Sequence, residues 1–214
     1  MILKTPPIAI ISLKNARDRR EFMRKQLNSY GLDYWIFDAV DGNLLNNLPL
    51  KIYDSNRAIK CCKRELTKNE IACIMSHINI WSFFLNGSHE NILIFEDDAI
   101  LDKNFPIILK ELKKFPNDWD MINFCSSQGQ YELLEHTIET YMLKKFTSKM
   151  NGAVAYILNR KTATHCMQQV YPIRTSTDGL LASLCQTKKI NCYGTSPEVV
   201  YVDDFKFPSL IGMR

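Results

Sequence analysis

Three consecutive acids, Glu96-Asp97-Asp98, close the apolar run Ile92-Leu93-Ile94-Phe95. An unbroken apolar run of this length reads as a buried strand, because central parallel strands are covered by helices on both faces. Carboxylates crowded at the end of such a strand repel one another, and a cation relieves that repulsion. The carboxyl ends of strands in open α/β sheets are also where ligands bind. With a side-chain period of two, Glu96 and Asp98 share one direction and Asp97 takes the other. An acid-x-acid pair of this kind suits Mg2+ or Mn2+ held jointly with substrate phosphates. A solvated turn whose acids cap the next helix accounts for the same residues without an ion.

Other residues with chemical potential are scattered along the chain. Arg17, Arg19 and Arg20 directly follow the apolar run Ile8 to Leu13, where guanidinium forks would meet phosphates; a solvated first helical turn is the competing reading. His77 stands four residues from both Cys73 and Trp81, at the edge of a helical apolar stripe. That place fits a partly buried, hydrogen-bonded histidine as well as a ligand. Asp178 lies in Thr175-Ser176-Thr177-Asp178, where Thr177 or Asp178 would serve as a helix N-cap. The seven cysteines include no CxxC pair, which argues against a zinc site, and a reducing cytoplasm is their simplest home.

The elements that must carry these residues follow from pattern. With 214 residues, 46% hydrophobic and 23% charged, the chain can form one globular domain with a proper core. A net charge of +4 permits attraction to anionic substrates or membrane surfaces but does not argue for nucleic acid. The N-terminus lacks a signal-peptide layout, and no run approaches the ~20 apolar residues of a membrane span, so a soluble or peripheral protein is expected. Ile8 to Leu13, a helix ending at Tyr30-Gly31, and Tyr34 to Phe37 make a βαβ unit. Asn43 to Lys63 reads as an irregular insertion. Thr67 and Glu70 form a capping box for a helix that runs to Asn86-Gly87. After the acidic strand come a helix from Asp102 to Phe115 and a strand at Asp120 to Phe124. Ser126 to Lys149 reads as an irregular, mobile loop over a site. Ala153 to Leu158 is a further strand, with helices at Lys161–Val170 and Gly179–Cys185. Ile190–Tyr193 and Val199–Val202 close the sheet before an irregular tail, Asp203 to Arg214.

Four segments in order, IAIISLKNARDRREFM, FDAVDG, LTKNEIACIMSHINIW and ILIFEDDAIL, resemble the signatures of glycosyltransferase family 25, with GAVAYILNRKTA and the Asp178 region fitting more loosely. That family includes bacterial lipooligosaccharide galactosyltransferases and is related to collagen galactosyltransferases. The resemblance implies a GT-A fold: a Rossmann-like α/β/α sandwich with a mainly parallel central sheet. It implies a donor half over about residues 1–125 and an acceptor half over about 126–214 of a single domain. It also implies inverting transfer of a hexose, most often galactose from UDP-galactose, to a glycolipid or oligosaccharide acceptor such as lipopolysaccharide.

Carried onto this chain, the family pattern makes Glu96 and Asp98 the ligands of Mn2+ or Mg2+, with Asp97 beside them. Ser12, Leu13, Arg19, Arg20, Asp38 and Asp41 fall in the motifs on the nucleotide side. Ser76 and His77 fall in the helix motif, with Glu70. Asp178 is the candidate base, with Glu198, Asp203 and Asp204 behind it. Many GT-A enzymes add a late histidine to the metal, whereas this chain has none after His165. The implied setting is cytoplasmic, with peripheral contact at the inner membrane. Two rival readings remain: a non-catalytic sugar-nucleotide or glycan-binding protein, and a metal-dependent phosphohydrolase.

Overall fold

The structure is a computed structural model that describes residues 5–126 and 128–211. The first βαβ unit forms as the pattern predicts: β1 (Ile8–Ser12), α1 (Arg17–Ser29) and β2 (Trp35–Asp38), with β1 and β2 parallel. Next come α2 (Ser55–Cys62), α3 (Lys68–Asn86) and β3 (Asn91–Glu96), which lies parallel to β1 on its other side. The short β4 (Ile100–Leu101) and α4 (Phe105–Lys110) lead to β5 (Met121–Asn123). The chain then forms β6 (Gly129–Ile138), β7 (Tyr141–Met150), β8 (Ala155–Asn159), α5 (Arg160–Gln169) and α6 (Thr177–Gln186). It ends in β9 (Cys192–Ser196), β10 (Val200–Tyr201) and a segment without regular structure.

Eight strands form one sheet in the order β2-β1-β3-β8-β5-β9-β7-β6, and β4 pairs with β10 in a separate ribbon. Only β8 and β7 oppose the common direction: β8 is antiparallel to both β3 and β5, and β7 is antiparallel to both β9 and β6. The sheet is therefore mainly parallel in direction, although β8 separates its parallel pairs.

Alternation along β1 and β3 explains their unbroken apolar runs. Ile8, Ile10, Leu93 and Phe95 pack with Met23 and Leu27 of α1 and Phe105 of α4 on one face. Ala9, Ile11, Ile92 and Ile94 pack with Ile74 and Trp81 of α3 and Leu181 of α6 on the other. With both faces covered, every second residue has a helix to bury against, which makes an α/β/α sandwich. The capping box of α3 is present: Thr67 Oγ1 accepts from Glu70 N at 3.2 Å and Glu70 Oε2 accepts from Thr67 N at 2.8 Å.

Four expectations about the elements need correction, and the first is that Val199–Val202 does not close the main sheet, because β10 pairs with β4 in the separate ribbon. The stretch from Asn43 to Lys63 is not wholly irregular, because Asp54 caps α2 by accepting from Arg57 N at 3.0 Å. Nor is Ser126 to Lys149 a loop. Apart from Ser127, which lies outside the described residues, it is largely the β6–β7 hairpin. At the start of α6 the N-cap is Ser176 rather than Thr177 or Asp178, and its side chain makes no capping bond. Among the described residues no helix is long and apolar enough to cross a membrane.

Candidate active site

The carboxyl ends of β1 and β3 lie side by side, with Ile11 opposite Glu96 in register. This pairing brings the arginine-rich start of α1 to the acidic motif. Ser12 Oγ donates to Asp97 Oδ2 at 2.6 Å, and Arg19 Nη1 donates to Asp97 Oδ1 at 2.9 Å. Both oxygens of Asp97 are thus engaged by the protein, and all three side chains are buried. Arg19 Nη1 also stands 4.0 Å from Asp98 Oδ2. The period-two alternation ends with β3 at Glu96, so Asp98, in the turn that follows, approaches the same guanidinium as Asp97.

Arg20 has a different place. Its Nη2 donates to Ser12 O at 2.7 Å and Asp38 Oδ1 at 2.6 Å, while Nε donates to Leu13 O at 3.0 Å. The side chain ties the ends of β1 and β2 together. Its hydrogen bond to exposed Asp38 holds that carboxyl below the usual range.

The loop after β2 is fixed from α3. Ser76 Oγ accepts from Val40 N at 2.9 Å and donates to Ala72 O at 2.7 Å, and Asp41 Oδ1 accepts from Asn43 N at 2.9 Å. Gly42 is pressed against Asn69, where an added Cβ would run into the Asn69 side chain and backbone. Gly42→Ala is expected to push this loop off α3 and to cost about 1–3 kcal/mol by overpacking. Urea denaturation measures that cost, and an unchanged midpoint would show that the contact is loose.

Glu96 turns towards α3. Its Oε1 lies 3.3 Å from His77 Nε2, and Cys73 Sγ donates to the same oxygen at 3.8 Å. His77 is wholly buried rather than at the edge of the apolar face, and its Nδ1 meets Tyr156 OH at 2.7 Å. Cys73, His77 and Glu96 present ligand atoms within 4.8 Å of one another.

These groups surround a cavity of about 230 Å3. Ser12, Leu13, Arg19, Asp41, Ser76, Glu96, Asp97 and Asp98 all line it. Arg20, Asp38, His77 and Asp178 do not reach its surface. Asp178 sits in the first turn of α6. The chain leaving α6 leads into the amino end of β9. Glu198 and Asp203 are already engaged: Lys144 Nζ donates to Glu198 Oε1 at 2.7 Å, and Asp203 Oδ1 accepts from Phe205 N at 3.0 Å.

Among the described residues, four carboxylates (Asp41, Glu96, Asp97, Asp98) and one cation (Arg19) line the cavity. An anionic diphosphate would meet a negative surface there unless a cation came with it. The hard oxygens of Glu96 and Asp98 fit Mg2+ or Mn2+, so the donor set agrees with a divalent ion.

One wall was not legible in the sequence. Arg19 Nη2 donates to Pro208 O at 2.5 Å, and Asn69 Nδ2 donates to Leu210 O at 2.8 Å. Phe207 packs on Phe22 with ring centroids 4.9 Å apart, so Ser209 to Ile211 come to rest against the cavity. The expected irregular tail is irregular as far as Ile211, and residues 212–214 lie outside the described residues.

An acid-lined cavity at the carboxyl ends of parallel strands in an α/β/α sandwich is the arrangement of a ligand-binding α/β protein. The family model described as Glycosyltransferase family 25 (LPS biosynthesis protein) matches residues 5–181, and the chain belongs to that family. It is 30% identical over 123 residues to procollagen galactosyltransferase 2 of Mus musculus, covering 54% of this chain and 20% of that protein. It is 32% identical over 143 residues to procollagen galactosyltransferase 1-A of Xenopus laevis, covering 61% of this chain and 23% of that one. Another relative, the inactive glycosyltransferase 25 family member 3 of Homo sapiens, is 29% identical over 127 residues, 54% of this chain and 21% of that protein. The matches thus span about a fifth to a quarter of these relatives. A solved glycosyltransferase involved in glycosylation of the major capsid of PBCV-1 superposes with a TM-score of 0.35 at 8% identity, covering 85% of this chain and 66% of that one.

Proposed function

We propose that this chain is an inverting, metal-dependent hexosyltransferase. In this reading it moves galactose from UDP-galactose, with β configuration in the product, to a sugar of a lipooligosaccharide or lipopolysaccharide acceptor. The observation that carries the reading is the excess of carboxylate over cation in a cavity walled by the family's own motifs. Glu96 and Asp98 would hold Mn2+ or Mg2+, which when bound neutralises charge on the departing UDP. Residues of about 1–125 form the donor half, together with Ser209–Ile211 from the acceptor half. At about 230 Å3 the cavity is somewhat smaller than the ~300 Å3 at the low end of ligand pockets, and Ser209–Ile211 form part of its wall. The proposed place of action is the cytoplasmic face of the inner membrane, where a net charge of +4 favours an anionic surface.

In the displacement, an acceptor hydroxyl oxygen bonds to the anomeric carbon as that carbon's bond to UDP breaks. The hydroxyl proton needs a base on the acceptor side. Asp178 is proposed for that role. Asp178→Asn is expected to leave UDP binding intact and to lower turnover about 10²–10⁴-fold, the usual worth of a positioned base. Retained turnover with a lower melting temperature would identify Asp178 as a carboxylate that only stabilises the start of α6.

The test of the function is incubation with UDP-galactose, Mn2+ and an oligosaccharide acceptor, read by mass spectrometry. Acceptor heavier by one hexose supports the proposal. UMP and galactose 1-phosphate formed with or without the acceptor, from water attacking the diphosphate, would make the chain a phosphohydrolase. Because a human relative is named inactive, binding without turnover is the outcome that would establish a non-catalytic sugar-nucleotide protein.

A further inference from the structure

Beneath Glu96 lies a run of buried polar groups that the proposed transfer does not use. Trp81 Nε1 donates to Tyr156 OH at 3.1 Å, Tyr156 OH meets His77 Nδ1 at 2.7 Å, and His77 Nε2 stands 3.3 Å from Glu96 Oε1. Trp81, Tyr156 and His77 are each 0% exposed, so bulk solvent does not reach them.

The direction of every proton in this run follows from chemistry. An indole N–H can only donate, so Tyr156 OH accepts from Trp81. The phenol has one proton of its own, and burial pushes its pKa well above the ordinary range. Among the described residues, His77 Nδ1 is the acceptor placed to take that hydrogen bond. With Nδ1 accepting, the ring proton is on Nε2. The opposite tautomer would leave the phenol proton without that acceptor and set an Nε2 lone pair against a carboxylate.

We propose that His77 is a positioning residue for Glu96: with Nδ1 held by Tyr156 and Tyr156 held by Trp81, its Nε2–H donates to Glu96 Oε1 and fixes that carboxylate at the wall of the cavity. Outer hydrogen-bond partners orient ligating groups in metal sites in this way, here with the ligand a carboxylate. The tautomer stands on geometry alone, whereas its consequence for metal binding rests on the donor-site reading above. A competing assembly uses the same atoms. A metal held by Cys73, His77 and Glu96 would need His77 Nε2 without its proton, which breaks the hydrogen-bond run.

The test uses the whole chain with ¹⁵N-labelled histidine at about pH 8, where an imidazole holds one ring proton. The sequence has four histidines, and the spectrum of His77→Gln assigns the signal. The expected result is an Nε2–H tautomer at His77, unmoved when Zn2+ alone is added. An Nδ1–H tautomer would overturn the assignment, as would stoichiometric Zn2+ binding that is lost in Cys73→Ser. Calorimetry of Mn2+ in the presence of UDP then reads the role. His77→Gln keeps a donor at the Nε2 position and should stay within about threefold of wild type, while the shorter His77→Asn should lose about 10–100-fold. Equal losses in the two variants would overturn positioning. If the wild-type chain binds no Mn2+ at all, the donor-site reading and the role of His77 in it fall, while the tautomer still decides the hydrogen-bond run.

Discussion

Asp98→Asn should remove nearly all transfer, on the order of 10³-fold, because the several kcal/mol that a bound divalent ion supplies to the leaving group would be lost. The fold should survive. Asparagine is nearly isosteric, and Arg19 keeps its shorter partner, Asp97 at 2.9 Å, against 4.0 Å for Asp98. The same variant should lose the Mn2+-dependent part of its UDP affinity while binding UDP alone as before. Steady-state rates with saturating Mn2+ check the first expectation. Full activity in Asp98→Asn, or in wild type with excess chelator, would contradict the metal assignment.

Arg19→Leu should have the largest effect on stability. The guanidinium side chain is 10% exposed and serves two carboxylates whose side chains are 9% and 6% exposed. Removing one partner from a buried pair leaves uncompensated charge, typically at a cost of about 3–5 kcal/mol. Replacing both partners removes that penalty, so Arg19→Leu combined with Asp97→Leu should recover part of the loss. Chemical denaturation of the two single variants and the double variant measures this coupling. A loss of under ~1 kcal/mol in Arg19→Leu would show that the pair behaves like an exposed one.

Arg19 also shows what the sequence could and could not convey. Its place after an apolar strand suggested phosphate, and the structure does bring it into the cavity, yet its short contacts are to Asp97 and to the Pro208 carbonyl. Local patterns carried the elements well where one residue's neighbours decide the outcome. The capping box of α3 and the doubly buried runs of β1 and β3 belong here. The β6–β7 hairpin was hidden because β6 is an exposed edge strand without an apolar alternation. Its turn, at Glu139-Thr140 with Glu139 at φ +53°, also lacks the Asn-Gly chemistry that marks hairpins.

The site followed the same division. Ser12, Leu13, Arg19, Asp41, Ser76, Glu96, Asp97 and Asp98 all came from motifs and all line one cavity. Asn69 and Cys73 share the helix motif of Ser76 but were not singled out in it, and the Ser209–Ile211 wall lay outside the quoted motifs, because only chain reversal over a long separation brings it there. His77 was legible as a hydrogen-bonded histidine, but its partner Tyr156, 79 positions away, was not. The helix-cap reading of Asp178 failed in detail, since Ser176 holds the cap position.

The most direct test of the donor site is calorimetric titration of the chain with UDP, with and without Mn2+, beside other nucleoside diphosphates. The account predicts binding that is strengthened by Mn2+ and selective for uridine, and that loses its metal dependence in Asp98→Asn. Binding indifferent to both metal and base, or none under any metal, would contradict it.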